Sequence, residues 1–350
     1  MLCGLVTLGV KIGPLIKEIG IGKEVDPSHF EGKVIAIDAL PTIYEMLATI
    51  RDPKGGYLRD SKGRITSHLV GIFNRTCRML ALGIRPVYVF DGPPHPLKLG
   101  TIEERRERRE LAQKKYEEAL AMGKIEEAVK FAKQAMMVTD ELVASAKELI
   151  SLLGVPIITA PHDGEAQAAY LVKKGEAYAV SSPDYDSFLY GSPRVVRNLK
   201  MTLQKKEKPT LYELNDLLSK LGITLEQLVD IAILIGTDFN PEGIEGIGPK
   251  RALELVKRHG SLENLLKQKR IIWKFEVPPE EIKKIFLNPP VTDNYKIEFK
   301  EPEREKIIEF LVEEHDFSRE RVEKELGEVY KRIEREKKAG IQASLDMFFG

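Results

Sequence analysis

Short apolar runs in this chain end, again and again, on carboxylates. Asp38 closes Val34-Ile35-Ala36-Ile37, and Asp91 closes Val87-Tyr88-Val89-Phe90. Asp163 and Glu165 follow Val155-Pro156-Ile157-Ile158, and Asp184 with Asp186 follows Tyr178-Ala179-Val180. Asp238 comes after a further apolar run, Ile231-Ala232-Ile233-Leu234-Ile235. A short β-branched run reads as a buried strand of a parallel sheet. In open α/β sheets the ligand crevice lies beyond the carboxyl ends of the strands, so these acids converge on one place. Unneutralised, they repel one another. An oxygen-rich set of this kind suits Mg²⁺ or Mn²⁺, and a pair of such ions is the usual apparatus for cutting phosphodiesters.

The rest of the chain fits that frame. Strand-like runs near 34–38, 86–91, 155–160, 177–182 and 194–199 alternate with helical patterns at 65–82, 139–153 and 163–174. The expected class is α/β: a mostly parallel twisted sheet with helices on both faces. Segment 97–137 is dense in charge and poor in large apolar residues, which reads as one or two exposed helices inserted after a strand. Residues 203–209 form a polar connector, and from 210 onward the pattern is nearly all helical. A chain of 350 residues with 43% hydrophobic content has ample core. It holds no apolar stretch of the roughly 18 residues that a membrane span needs. Two cysteines without metal-like spacing, and an N-terminus without a signal pattern, lead us to expect a reduced, cytoplasmic setting. The formal net charge is zero, from 54 basic and 54 acidic residues. That balance hides local basic runs at Arg105-Arg106, Arg108-Arg109, Lys205-Lys206 and Lys250-Arg251, a distribution compatible with nucleic acid.

Three further motifs carry chemistry. In Gly243-Ile244-Glu245-Gly246-Ile247-Gly248-Pro249-Lys250-Arg251, Gly246 and Gly248 permit a tight turn between helices with exposed N–H groups, and Pro249 suits a helix's first turn. Lys250 and Arg251 then face the same phosphates. This is a helix–hairpin–helix signature for sequence-independent duplex binding, over about 225–260; an ordinary glycine-rich connection is the plain rival. The stretch from Lys98 to Arg109 follows Asp91 closely. A basic helix leaving the mouth of an acidic crevice steers a phosphate strand, although a solvated face has the same composition. At the far end, Gln342, Leu345, Phe348 and Phe349 make a compact one-turn anchor whose paired aromatics call for a partner or fold back on the core. Tyr44, after Asp38, is either a cleft residue or core. The histidines at 68, 162, 259 and 315 show no metal-ligand spacing.

Together these residues resemble the flap endonuclease family of structure-specific 5′ nucleases. The carrying motifs are Ile37-Asp38-Ala39, Thr66-Ser67-His68-Leu69, Val89-Phe90-Asp91-Gly92-Pro93-Pro94, Asp163-Gly164-Glu165-Ala166, Asp184-Tyr185-Asp186-Ser187, Gly236-Thr237-Asp238-Phe239 and Gly246-Ile247-Gly248-Pro249-Lys250. The resemblance spans nearly the whole chain and points to an archaeal-type member. It implies two Mg²⁺ ions, with Mn²⁺ as a substitute, and branched DNA with a 5′ flap as substrate. It implies that Lys98 and Arg105 contact the scissile phosphate, that Tyr44 stacks on a base, and that Thr66 belongs to a pocket for a one-nucleotide 3′ flap. Segment 93–137 resembles the arch that the 5′ strand threads. The terminal motif resembles the sliding-clamp binding box. The expected layout is a monomer with one nuclease domain over 1–338 and a flexible tail at 339–350.

The chain departs from the family in three places. Asp163 stands where the family carries Glu, one methylene longer. Pro41 stands where a small residue or Asn is usual. Family members begin Met-Gly, whereas here the matching stretch is Gly9-Val10-Lys11. Either translation starts near Leu8, or residues 1–8 lie beside the metals. Other readings are a 5′→3′ exonuclease of the same superfamily, which arch length and the clamp box argue against, and a non-catalytic clamp-recruiting DNA scaffold, which a full set of acids argues against. No Gly-x-x-x-x-Gly-Lys-Ser/Thr loop occurs, which removes a P-loop nucleotide hydrolase.

Overall fold

Alternate residues of the central strands belong to different cores. Ile35, Ile37, Tyr88 and Phe90 pack on one face of a sheet, while Ala36, Val87, Val89 and Val180 pack on the other. That is the two-residue period of a strand with both faces covered. The computed structural model describes residues 10–52, 55–199 and 208–349. A few side chains inside helices lie outside the description, among them Arg105 and those from Gly340 onward.

The strands are β1 (Lys23–Glu24), β2 (Val34–Asp38), β3 (Arg85–Phe90), β4 (Ile157–Thr159), β5 (Ala179–Ser181), β6 (Arg194–Arg197) and β7 (Thr210–Glu213). They form a seven-stranded sheet in the order β1-β7-β6-β5-β2-β3-β4. Strands β4, β3, β2, β5 and β6 run parallel, and β7 and β1 close one edge antiparallel. The chain builds outward from β2 through β3 to β4, then returns to lay β5 on the other side of β2. The switch point therefore falls between β2 and β5, where a crevice opens beyond the strand ends.

The helices are α1 (Gly13–Ile19), α2 (Ala39–Thr49), α3 (Ser67–Ala81), α4 (Leu99–Ala121), α5 (Ile125–Gln134), α6 (Asp140–Leu152) and α7 (Gly164–Lys173), then α8 (Leu214–Leu221), α9 (Leu225–Ile235), α10 (Pro249–His259), α11 (Leu262–Lys267), α12 (Pro279–Leu287), α13 (Arg304–Ile308) and α14 (Arg319–Phe349). Side chains of α2, α3, α6 and α14 cover one face of the sheet. On the other face Ala168, Leu171 and Val172 of α7 are joined by Tyr295, Ile297 and Phe299 of an extended strap. Gln167, fully buried, ties that strap down, with Nε2 donating to the Thr292 carbonyl at 3.0 Å and Oε1 accepting the Thr292 N–H at 2.8 Å.

The expected alternation is present, with two corrections. The apolar run Ile231 to Ile235, which has the look of a buried strand, is the last part of α9. A continuous apolar run does not separate strand from buried helix. The deciding signal lies upstream, where Thr224 and Gln227 form a reciprocal capping box. After residue 210 the chain is not nearly all helical either, because β7 is a strand and the strap over 289–303 has no regular secondary structure. Segment 97–137 folds as α4 and α5, with Leu99, Leu111 and Met122 more than half exposed. The stretch expected as a tail continues the backbone of α14.

Candidate metal centre

All seven candidate acids line one cleft of about 560 Å³. Asp38 is the last residue of β2, and Asp91 follows β3 directly. Asp163 caps α7 and Glu165 sits in its first turn. Gly164 between them is required by close approach: a Cβ there would lie 2.8 Å from Asp91 Oδ1, and instead the Gly164 N–H donates to that oxygen at 2.6 Å. Asp184 lies on the loop after β5, and Asp186 opens the short 3₁₀ turn that follows it. Asp238 comes from a helix end, not a strand end. A tight turn delivers it, in which buried Asn240 donates to the Ile233 carbonyl at 2.7 Å and accepts from the Thr237 hydroxyl at 2.7 Å.

Asp91, through the Gly164 N–H, and three further acids have donors of their own. Glu165 Oε1 accepts the Ser187 N–H at 2.9 Å and its hydroxyl at 2.5 Å. Asp186 accepts the Val10 N–H on both oxygens. Asp163 accepts Lys98 Nζ at 2.6 Å on one oxygen and the Tyr190 hydroxyl at 3.1 Å on the other. Lys98 also stands 3.6 Å from Asp238 Oδ2.

These donors do not offset the crowding. Burial, then the charges of Glu165 and Asp91, holds the Asp38 carboxyl well above the usual range. Burial, then Glu165, does the same to Asp186. Burial pushes Asp91 up to about 6, against the Gly164 N–H, and Glu165 up to about 7, against Ser187. Asp184 is raised by burial, with Arg197 opposing. Burial alone would lower Lys98; Asp163 and Asp238 outweigh it and hold the ammonium charged. Buried, mutually repelling oxygens are the donor set that a hard divalent cation relieves, so the residues fit Mg²⁺ or Mn²⁺. Among the described residues no three His, Cys, Asp or Glu side chains already stand as a metal cage. Individual hydrogen bonds and the Lys98 ion pair hold the carboxylates in the cleft instead.

The cleft also receives residues that the sequence did not single out for it: Asp140, Arg109, Tyr190, Phe239 and Phe286. Of these, Phe239 stands next to Asp238 in sequence and Arg109 closes the basic stretch from Lys98, so both carried a local signal. Tyr44 faces the cleft from α2, half-buried, with the Arg109 guanidinium 5.2 Å from its ring centre. Thr66 is buried at the start of α3, its N–H bonded to the Leu58 carbonyl at 2.8 Å; it does not line the metal cleft. Arg105 lies on α4, its side chain outside the description, as are those of Gln342, Leu345, Phe348 and Phe349 on α14.

The glycine-rich turn joins α9 to α10. Gly246 takes a positive φ of 73°, and Gly248 is the N-cap of α10. A Cβ at either would meet nothing within 4 Å, so the turn's backbone is open to solvent. Lys250 reaches Glu18 at 3.0 Å and Arg251 reaches the Gly246 carbonyl at 3.4 Å; both exposed side chains remain at the surface.

Comparison with known proteins agrees with this geometry. The XPG N-terminal domain model matches residues 9–112, and the XPG I-region model matches 154–238. Flap endonuclease 1 of Pyrococcus abyssi is 50% identical over 351 residues, covering 98% of each chain. That of Staphylothermus marinus is 49% identical, covering 96% of this chain and 99% of its own. The solved flap endonuclease-1 from Methanococcus jannaschii superposes with a TM-score of 0.75 at 44% identity, covering 94% of this chain and 100% of that one. The catalytic core of Rad2, solved with a DNA substrate, gives 0.70 at 26% identity, covering 90% of this chain and 98% of that one. Identity at this level along nearly the full length, with both XPG regions contributing acids to one cleft, means that the chain belongs to the flap endonuclease family of structure-specific 5′ nucleases.

Proposed function

We propose that this chain cuts DNA at the junction of a 5′ flap and duplex, by metal-dependent phosphodiester hydrolysis in replication and repair. The observation that carries the reading is seven carboxylates lining one cleft around a buried lysine. Asp38, Asp91, Asp163, Glu165, Asp184, Asp186 and Asp238 would hold two Mg²⁺ ions, with Mn²⁺ as a substitute. Bound there, the metals supply an activated water and charge stabilisation for the leaving 3′ oxygen.

The remaining chemistry falls to the chain's own side chains. Lys98 and Arg105 offset charge on the phosphate. Tyr44 offers a ring face to a base at the junction, and Thr66 belongs to the pocket for a one-nucleotide 3′ flap. Open backbone at Gly246 and Gly248, with Lys250 and Arg251, grips duplex phosphates without reading sequence. Arch segment 93–137 passes the 5′ strand. In domain terms, residues 1–338 form the nuclease and 339–350 a tail that docks on a sliding clamp through Gln342, Leu345, Phe348 and Phe349. The protein works as a monomer on chromosomal DNA in the cytoplasm. Among the described residues no helix is long and apolar enough to cross a membrane.

The test is a cleavage assay on single-flap, double-flap and plain duplex DNA in Mg²⁺. Flap substrates should be cut at the junction and plain duplex spared. Asp186→Ala should abolish cutting while flap binding stays near wild type. Cutting of plain duplex as fast as flap DNA, or normal turnover by that variant, would overturn the reading.

A further inference from the structure

Lys98 stands between two acids assigned to the metals. Its Nζ is 2.6 Å from Asp163 Oδ1 and 3.6 Å from Asp238 Oδ2, and its side chain is only 14% exposed. The ammonium also lies 5.0 Å from the centre of the Phe239 ring, a favourable face for a cation. Asp163's other oxygen is taken by the Tyr190 hydroxyl. Both oxygens of Asp163 are thus engaged by donors of this chain. A divalent ion held by Asp163 and Asp238 would sit beside the Lys98 ammonium, and two cations repel at such distances.

We infer that Lys98 is a built-in competitor for the divalent cation on the Asp163–Asp238 side of the cleft. Metal loading there is an exchange: the ion takes the carboxylates, and the ammonium is released to the substrate phosphate. Such an exchange keeps the carboxylates compensated before the ion arrives and makes the phosphate contact of Lys98 available only in the loaded site. The inference rests on the metal-site reading given above.

The test is calorimetric titration of Mn²⁺ into the full chain without DNA, comparing wild type with Lys98→Met, Lys98→Arg and Asp186→Asn. Removing the competing charge should tighten Mn²⁺ binding by about tenfold or more, the scale of like-charge repulsion a few ångströms apart. Lys98→Arg, which keeps the charge, should stay close to wild type. Lys98→Gln repeats the comparison should the methionine variant misfold, as circular dichroism would reveal. Mn²⁺ uptake that is lost in Asp186→Asn, yet unchanged or weaker in Lys98→Met and Lys98→Gln, overturns the inference alone. Uptake that survives Asp186→Asn overturns the site assignment and the inference with it.

Discussion

The backbone N–H of Val10 donates to both carboxylate oxygens of Asp186, at 2.9 and 3.0 Å. The two residues are 176 positions apart. Asp186 is half-buried among other acids, and this donor orients its carboxylate. Val10→Pro removes the N–H and keeps a similar apolar volume. Cleavage should fall by roughly 10- to 100-fold, the range for losing a group that orients a metal ligand. Flap affinity should hold, because phosphate contacts lie elsewhere. Val10→Ala, which keeps the N–H, should retain most activity. Single-turnover rates decide; equal rates for Val10→Pro and wild type would remove any role for the amide.

The hairpin prediction turns on salt. Lys250 and Arg251 are exposed beside open backbone at Gly246 and Gly248. Lys250→Ala with Arg251→Ala should weaken binding to flap duplexes of any sequence. It should also flatten the slope of log affinity against log salt by about one to two units, since each phosphate contact contributes close to one. An unchanged slope in a binding titration would move the duplex contact to another surface.

Away from the cleft, Asp60 anchors the loop 58–66 to the C-terminal region. It accepts from Lys62 N at 3.0 Å, Arg64 N at 2.8 Å, Arg64 Nε at 2.7 Å and His315 Nδ1 at 3.1 Å. Burial alone would raise its carboxyl, but the Arg64 and His315 hydrogen bonds win and hold it at about 2. A depressed carboxyl stabilises the fold fully above its unfolded value, about 4, and loses that contribution as pH falls through about 2. Asp60→Ala should therefore cost about 1–3 kcal/mol at pH 7, the scale of removing a hydrogen-bond partner of buried groups. The gap from wild type should narrow between about pH 4 and pH 2. Denaturant unfolding at several pH values checks it; a gap independent of pH would mean that the loss is packing alone.

What was legible in the sequence follows from which signals are local. Strands β2 and β3 were readable because a run of four apolar residues, mostly β-branched or aromatic, precedes an acid. Strands β1 and β7 were not, being a two-residue polar edge and a short mixed one. The acids were legible as a set because they follow five separate apolar runs, and the sheet's switch point gathers the ends of such runs. Asp238 reached the same cleft from a helix, so the convergence held although its element was misread. The partners of these acids were invisible. Tyr190 beside Asp163, Val10 beside Asp186 and Lys98 bridging Asp163 to Asp238 join distant segments and leave no periodic trace. The bond between His315 and Asp60 spans 255 positions; spacing rules for metal ligands gave that histidine no role, and they could not reveal a structural one.

The last prediction concerns the C-terminus. Gln342, Leu345, Phe348 and Phe349 recur at three- and four-residue steps, which on a helix form one stripe, and the backbone of α14 runs through Phe349. The stripe holds an aliphatic and two aromatic residues, with an amide at its start. That combination suits a hydrophobic pocket with a backbone-bonding rim. Few residues need ordering on docking, so affinity should rest on the two aromatic anchors, as interface hot spots usually do. Phe348→Ala with Phe349→Ala should abolish clamp-stimulated cleavage and leave cleavage without the clamp near wild type, because the described lining of the nuclease cleft lies between Val10 and Phe286. Calorimetry against the sliding clamp is the direct check. Equal heats for variant and parent would mean that the aromatics serve the protein's own packing, and the variant's thermal midpoint should then drop where the docking reading expects it to stay.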